Sequence, residues 1–144
     1  MSREYPDNPL IGVGAVIIQD NRVLLIQRGQ PPLLGEWSLP GGHLECGETL
    51  LEATAREARE ETSLTVETAD LLGVYERIIR ADDGRVRYHY VLIDFLCRTV
   101  AGDLQAASDA ADVRWFTREE LPALKLSADT VEVIHKGLQA AVSQ

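Results

Sequence analysis

Residues 41–48 read GGHLECGE, and residues 49–64 continue as TLLEATAREAREETSL. The first part of this stretch predicts a glycine-rich turn, and the second predicts a helix that carries Glu57, Glu60 and Glu61. At about 100° per residue, these glutamates project from one helix face, where like charges repel by a few tenths of a kcal/mol per pair. Such a face is commonly a solvated surface with interleaved arginines as ion-pair partners. The other interpretation is that it binds a cation.

The side-chain chemistry of this stretch suits a hard cation. Carboxylate oxygens next to a glycine turn are ligands that Mg²⁺ or Mn²⁺ prefers, and both ions commonly bridge to substrate phosphates. The spacing favours this interpretation, because five residues separate Gly42 from Glu48 and seven more precede REAREE at residues 56–61. This pattern resembles the Nudix box, G-x5-E-x7-R-E-U-x-E-E-x-G-U. Ser63 stands where the box has glycine, which predicts strain of about 1 kcal/mol at a left-handed helix exit.

The resemblance to the Nudix family is specific over residues 37–64, and the run GEWSLPGG at residues 35–42 is also typical of that family. It implies the α/β class, with an α/β/α sandwich, a mixed sheet and a catalytic loop–helix motif. It also implies a pyrophosphohydrolase, dependent on Mg²⁺ or Mn²⁺, that cleaves a nucleoside diphosphate linked to another moiety. Such ions screen the charge of the diphosphate and lower the pKa of bound water.

By the same resemblance, individual residues receive expected roles. The expected metal ligands are the three box glutamates and a carbonyl that glycine exposes: Glu57, Glu60, Glu61 and Gly41. Arg56 and Glu48 are expected to pair and to hold the loop against the helix. Asp109 either reaches the metals or is a solvated loop residue. The general base is Asp109 or one of the box glutamates, a choice that stays open because ligand and base need the same residue type.

Three residues outside the box are candidates for substrate binding, each with an ordinary structural alternative. Arg28 ends a predicted strand, where it either binds a phosphate or is solvated. Trp37 either stacks on the base or packs in the core beneath the site. Tyr75 either frames the base or is an ordinary sheet residue.

Apolar and β-branched runs predict most of the sheet. Strands are expected at residues 10–28 with a turn at 20–21, and at 70–80, 85–98 and 113–116; helices are expected at 48–62 and 128–142, and a loop at 99–112. Gly12 and Gly14 in the first strand predict close approach of a ligand or of the catalytic helix. Pro31 and Pro32 exclude regular structure around them. Together these elements predict a mixed sheet covered by helices.

Length and composition limit the classes of protein to which the chain can belong. The chain has 144 residues and a formal net charge of −9, and we expect one domain over residues 1–144 with residues 1–9 as a polar lead-in. So acidic a surface disfavours nucleic acid polymers and anionic membranes as partners, and divalent metals would supply local positive charge for a phosphorylated substrate. The sequence has no bilayer-spanning apolar run and no signal-peptide pattern. A cytoplasmic protein with reduced Cys46 and Cys97 is expected.

The sequence leaves the substrate open. The run LIQRGQPPLLGEWSLPGG at residues 25–42 looks most like ADP-ribose pyrophosphatases and their small bacterial relatives, so ADP-ribose or another nucleotide sugar is the first expectation. The alternatives are a (deoxy)nucleoside triphosphate pyrophosphohydrolase and a non-catalytic Nudix-fold module that senses a nucleotide. Intact box glutamates disfavour the sensor. A homodimer is expected from the habit of the family.

Overall fold

The computed structural model describes residues 3–30 and 33–142. The prediction made for Pro31 and Pro32 falls outside the described residues, as do the outermost ends of the predicted domain, residues 1–2 and 143–144. Within the described ranges, no helix has the length and apolar character needed to span a membrane.

Seven strands and three helices make up the described chain. The strands are β1 (Leu10–Gln19), β2 (Arg22–Arg28), β3 (Trp37–Ser38), β4 (Gly41–His43), β5 (Thr65–Arg80), β6 (Val86–Ala101) and β7 (Ala110–Thr117). The helices are α1 (Leu50–Thr62), a 3₁₀ helix (Arg118–Leu124) and α2 (Ala128–Val142). The predicted loop at 99–112 is shorter than expected, because β6 and β7 each extend into it.

β1 lies in the middle of the sheet because it pairs with three other strands. It runs parallel to β6 and antiparallel to β2 and β4. The path β3-β2-β1-β6-β5 is completed by β4 beside β1 and β7 beside β2. The presence of both parallel and antiparallel pairs confirms the predicted mixed sheet.

The two faces of the sheet pack against different helices, because successive strand residues point to opposite faces. One core cluster joins strand residues to α1 through Ala15, Ile17, Leu24, Phe95, Cys97 and Ala58. The other joins the sheet to α2 through Val16, Leu25, Leu96, Val133, Ile134 and Leu138. We call these surfaces the α1 face and the α2 face. One helix on each face confirms the predicted α/β/α sandwich.

The N-terminus of α1 is fixed by a capping box. The Thr49 hydroxyl accepts the N–H of Glu52 at 3.1 Å, and the Glu52 carboxylate accepts the N–H of Thr49 at 3.0 Å. Reciprocal pairing of this kind satisfies two backbone donors that a helix start leaves free. Glu48 therefore precedes the cap, outside the helix.

The other end of α1 has the left-handed exit that the box predicts. Ser63 adopts φ 67° and ψ 7°, and its N–H donates to the Arg59 carbonyl. Its hydroxyl donates to the Gln105 carbonyl at 3.0 Å. The serine thus keeps the exit geometry and gains a contact that glycine lacks.

The glycines of β1 face β6, not α1. A Cβ added to Gly12 would lie 3.0 Å from Leu92 Cδ2, and one added to Gly14 would lie 2.1 Å from Asp94 Oδ1. Close approach occurs at both glycines, but the approaching atoms belong to β6 and not to the catalytic helix, and the ligand alternative stays a prediction. The helix packs on the α1 face, whereas these glycines belong to the α2 face.

Candidate active site

A network centred on Arg56 joins the turn after β4 to α1. The guanidinium donates to both carboxylate oxygens of Glu48, with Nη2 and Oε1 2.9 Å apart, and to the His43 carbonyl at 3.0 Å. The hydrogen bonds from Arg56 are the main cause that lowers the pKa of Glu48 to about 2. The predicted Arg56–Glu48 pair is present, and its two-point geometry fixes the orientation of both side chains.

Glu57 lies directly against the glycine turn. Its side chain is 14% exposed, and a Cβ added to Gly42 would lie 2.4 Å from its carboxyl carbon. Any other residue at position 42 would collide with this carboxylate. Burial raises the pKa of Glu57, while the hydrogen bond from Arg56 acts in the opposite direction.

Glu61 is the most deeply buried of the box glutamates. It is 6% exposed and accepts the N–H of Gly41 at 2.7 Å. Burial raises its pKa to about 7, the Gly41 N–H opposes that rise, and the negative charges of Glu57 and Asp109 add to it. A cation bound here would favour the ionised carboxylates, because it would offset both desolvation and mutual repulsion.

Glu60 does not converge with the other two box glutamates. Its side chain is 47% exposed and accepts a hydrogen bond from Arg56 Nη1 at 3.3 Å. Across residues 3–30 and 33–142, no group of three or more His, Cys, Asp or Glu side chains is arranged to hold a metal ion. The structure places Glu57 and Glu61 at the glycine turn, and Arg56 Nη1 donates both to Glu57 at 2.9 Å and to the more exposed Glu60.

Arg28 and Asp109 lie close to this turn. The Gly29 N–H donates to the Asp109 carbonyl at 2.8 Å, where β2 meets the start of β7. The charges of both Arg28 and Asp109 act on the Glu61 carboxyl. The structure therefore brings these two candidates beside the box, with the Asp109 side chain exposed to solvent.

Trp37 and Tyr75 belong to the α2 face. The Trp37 ring packs edge-on against Phe116 with centroids 5.0 Å apart, which is the core packing offered as its structural alternative. Tyr75 packs against the same core cluster, and its hydroxyl is buried without a hydrogen-bond partner. Their substrate contacts stay predictions.

The N-terminal segment approaches the site, which the sequence reasoning missed. The Tyr5 N–H donates to the Arg87 carbonyl at 2.7 Å, so the segment runs along β6. Burial, and after it the charge of Arg3, lowers the pKa of His43 to about 4, and the Arg3 charge also opposes the burial-driven rise in the pKa of Glu57. The one available signal was that Arg3 is the sole basic residue among residues 1–9.

The donors at the turn fit the metal that the motif implies. Glu57 and Glu61 offer hard carboxylate oxygens at the glycine turn, where Glu57 lies against Gly42 and Glu61 accepts the Gly41 N–H. Both carboxyls have raised pKa values, mainly through burial, so each would gain from a cation. Oxygen donors of this kind suit Mg²⁺ or Mn²⁺.

The chain is similar to known proteins in sequence and in fold. Residues 8–136 match the NUDIX domain family. The chain is 39% identical over 127 residues to the ADP-ribose pyrophosphatase of Methanocaldococcus jannaschii, covering 88% of this chain and 72% of the relative. It is 35% identical over 133 residues to the nucleoside triphosphatase NudI of an Enterobacter species, covering 85% of this chain and 93% of the relative. The crystal structure of a MutT NUDIX hydrolase from Burkholderia pseudomallei matches with a TM-score of 0.78 and 32% identity, covering 90% and 98%.

A mixed sheet between two helices, with buried glutamates on a loop–helix motif, defines a class of hydrolases that act on phosphoric anhydride bonds. The chain belongs to the Nudix family of that class, because the family match spans most of its length and the two curated relatives named above exceed 30% identity. Some curated relatives are longer: the chain spans 63% of the MutT-like protein of Streptomyces ambofaciens.

Proposed function

We propose that this protein is a Mg²⁺- or Mn²⁺-dependent pyrophosphohydrolase that cleaves a nucleoside diphosphate linked to another moiety, with ADP-ribose or another nucleotide sugar as substrate. One observation carries the proposal: Glu57 and Glu61 are buried side by side at Gly41–Gly42, with raised pKa values. Two adjacent buried carboxylates are costly without a cation. A divalent metal that also binds the substrate diphosphate would offset this cost.

Different residues of the chain would have different roles in such a reaction. Glu57 and Glu61 would hold the metal, with the Gly41 carbonyl and Glu60 as further expected ligands. Bound divalent metal supplies charge screening and a lowered pKa of water. Arg56 keeps the turn and the helix in register through Glu48 and the His43 carbonyl.

The substrate phosphates need positive charge beside the metal site. Arg28 lies close enough for its charge to act on Glu61, and Arg3 acts on Glu57 in the same way. Both would contact phosphate oxygens. Asp109 is exposed beside the same carboxylates, so it is one candidate to take a proton from the attacking water, and a box glutamate is the other.

The choice of a nucleotide sugar follows the relatives. The archaeal protein that is 39% identical over most of the chain is an ADP-ribose pyrophosphatase. A nucleoside triphosphate is the second candidate, because the Enterobacter relative is a nucleoside triphosphatase and is covered over 93% of its length. Both substrates would place a phosphoanhydride at the glycine turn, and they differ in the group attached to the far phosphate.

A substrate panel tests the proposal. ADP-ribose, sugar nucleotides, NADH and nucleoside triphosphates would be incubated with the protein in Mg²⁺ or Mn²⁺, and products separated by ion-exchange chromatography. We expect ADP-ribose to give AMP and ribose 5-phosphate, and EDTA to abolish turnover. Full activity in EDTA would overturn the metal mechanism. Tight binding of a panel member without turnover would favour the nucleotide-sensing alternative.

The proposal includes a cytoplasmic location and a homodimer. Both cysteines are free, as expected of a reducing compartment. β5 ends the strand path and exposes apolar side chains, which suits an interface between two copies: Leu71, Val74, Ile78 and Ile79. Light scattering would show twice the chain mass of 15.9 kDa for a dimer and would reject it at the monomer mass.

A further inference from the structure

The segment that precedes β1 is held against β6 by three contacts of different kinds. The Tyr5 N–H donates to the Arg87 carbonyl at 2.7 Å, and the Glu4 carboxylate pairs with Arg87 Nε at 2.9 Å. The Arg85 guanidinium lies over the Tyr5 ring, 4.4 Å from its centroid. Both partners of the ion pair are nearly half exposed, so the pair contributes little alone and the segment depends on all three contacts. We call residues 3–5 the N-terminal strap.

The backbone of the strap is strained at Tyr5. Its φ is 51°, in the left-handed region that residues other than glycine rarely adopt, and Pro6 follows it. A proline restricts the residue before it further, toward extended conformations. Such a conformation persists only where the surrounding contacts hold it, and conformations of this kind are found most often at binding sites. The contacts with Arg85 and Arg87 therefore set the course of the strap.

The anchor of the strap lies close to the catalytic turn. Arg87 is three residues from Tyr90 along β6, a distance of about 10 Å. The Tyr90 ring lies edge-on to His43, with centroids 5.5 Å apart. His43 directly follows Gly42, against which the Glu57 carboxylate packs. The strap is thus tied to β6 within reach of the turn that carries the box glutamates.

Arg3 is the residue that the strap brings to this turn. It precedes Tyr5 by two residues, so the two Cα atoms are at most about 7.6 Å apart, and a long side chain extends that reach. Burial is the largest influence on the pKa values of Glu57, His43 and Tyr90, and the charge of Arg3 lowers all three. The Arg3 side chain is exposed to solvent, so a ligand bound at the turn can contact it.

An arginine therefore acts on each of the two buried box carboxylates. The charge of Arg28 acts on Glu61, and the charge of Arg3 acts on Glu57. Guanidinium groups bind phosphate oxygens through paired, charge-assisted hydrogen bonds, which makes arginine well suited to a diphosphate. In a chain with a net charge of −9, a cation next to the site offsets the field that would otherwise repel such a substrate.

We propose that the N-terminal strap is part of the active site and that Arg3 binds a substrate phosphate beside Glu57. Tyr5 and Glu4 are positioning residues, because their contacts with β6 fix the strap on which Arg3 lies. The inference rests on the proposed function for the presence of a phosphate at the turn. It assigns a binding role to a segment that lies outside both the sheet and the box helix.

Binding of a diphosphate analogue that resists hydrolysis tests the strap. The probe is methylenediphosphonate in Mg²⁺, whose carbon bridge cannot be cleaved and which has no nucleoside, and NMR titration gives its dissociation constant even when binding is weak. Arg3→Gln removes the guanidinium. Tyr5→Pro keeps Arg3 but removes the N–H that binds the Arg87 carbonyl and excludes a φ of 51°. The protein carries no tag at its N-terminus.

We expect Arg3→Gln to weaken methylenediphosphonate binding on the order of tenfold, the loss typical of a hydrogen bond between charged groups. Tyr5→Pro should weaken it by a similar factor, because the strap no longer holds Arg3 beside the turn. Tyr5→Pro added to Arg3→Gln should change the affinity less than about twofold, since the strap acts through Arg3. Added salt should shrink the difference between Arg3→Gln and the wild type, because it screens the attraction.

Asp7→Asn and Arg118→Gln are the matched controls. Asp7 lies between the strap and β1, Arg118 begins the 3₁₀ helix, and both are exposed, so each variant removes one charge away from the proposed contacts. Each should keep the affinity within about twofold of the wild type. Glu4→Gln loses the ion pair and keeps the other strap contacts, so its effect should fall between those of the controls and Tyr5→Pro. Thermal unfolding should give nearly the same midpoint for all variants.

Three results would overturn the inference. The first is an affinity of Arg3→Gln, or an absence of binding, equal to that of the wild type. The second is a loss in Tyr5→Pro that persists in the Arg3→Gln background, because the segment would then act without Arg3. The third is tighter Mn²⁺ binding by Arg3→Gln with unchanged diphosphonate affinity, which would make Arg3 a competitor of the metal for Glu57.

The outcome is separable from that of the proposed function, because binding of the diphosphonate requires no hydrolysis. Weakened binding by Arg3→Gln without turnover in the substrate panel would sink the hydrolase mechanism alone. Turnover in the panel with unchanged affinity in Arg3→Gln would sink the strap alone. In the active enzyme, Arg3→Gln should raise KM more than it lowers kcat, whereas a merely structural Arg3 would lower the stability and leave KM unchanged.

Discussion

Glu61 and Asp94 are buried to nearly the same extent on opposite faces of the sheet, yet their surroundings differ. They are 6% and 7% exposed, and burial raises the pKa to about 7 for Glu61 and about 6 for Asp94. Glu61 has a backbone donor and a second carboxylate beside it, whereas no described residue donates to Asp94. At Asp94 the charge of Arg77 opposes the rise and that of Asp129 adds to it. The comparison teaches that carboxylates gathered at a glycine turn suit an added cation, whereas a carboxylate that already has an arginine near it has less need of one.

The largest expected effect is on the kcat of a Glu61 variant. Glu61→Gln should lower kcat on the order of 10²-fold or more, because an amide replaces a charged metal ligand. Glu119→Gln, an exposed change on the 3₁₀ helix, is the matched control and should leave kcat within about twofold. Steady-state kinetics with ADP-ribose would measure both. Equal kcat for Glu61→Gln and the wild type would remove Glu61 from the metal site.

A smaller effect concerns the pH dependence of stability. The folded-state pKa of Asp94 lies near 6, above its ordinary 3.8, so its ionisation disfavours the folded state. The loss of folding stability that this ionisation causes is absent below about pH 4 and complete above about pH 6. Asp94→Asn should therefore be more stable than the wild type by about 2–3 kcal/mol at pH 8 and nearly equal to it at pH 4. Urea unfolding at both pH values measures the difference.

Replacing Asp83 is expected to change folding stability in the opposite direction, which makes it a useful comparison for the Asp94 variant. Hydrogen bonds from Arg85 lower the pKa of Asp83 below its ordinary value. Its ionised form therefore favours folding above pH 4, and Asp83→Asn should lose stability there. If both variants responded alike to pH, the effect would come from net charge and not from the burial of Asp94.

The fold was predictable because its signals are local. Apolar and β-branched runs marked β1, β2 and the β5–β6 pair, and the Asp20–Asn21 turn followed from residue types that tolerate positive φ. The ends of β5 and β7 were less predictable. Their outer residues are polar, and they pair because the neighbouring strand supplies partners, which is tertiary information.

The candidate site was predictable where chemistry follows a fixed spacing. The Arg56–Glu48 pair and the closeness of Glu57 and Glu61 to the glycine turn follow from that spacing. The orientation of Glu60 does not, because helix geometry sets the side-chain direction only to within rotamer freedom. Arg56 Nη1 donates to Glu60 at 3.3 Å and to Glu57 at 2.9 Å, so Glu60 is held at the exposed side of the arginine.

The remaining site residues come from distant parts of the chain. Arg3 reaches the turn only because the N-terminal segment runs along β6. Asp94 lies within a predicted strand, and its burial depends on the register that places Gly14 and Gly73 on its two sides.

The central claim is that Glu57 and Glu61 hold a divalent metal at the glycine turn. A Mn²⁺ titration followed by electron paramagnetic resonance, on the wild type and on Glu61→Gln, tests it without any substrate. The account predicts saturable Mn²⁺ binding by the wild type and affinity weakened tenfold or more in the variant, in line with the loss of a charged ligand. Equal Mn²⁺ affinity for the two proteins would contradict it.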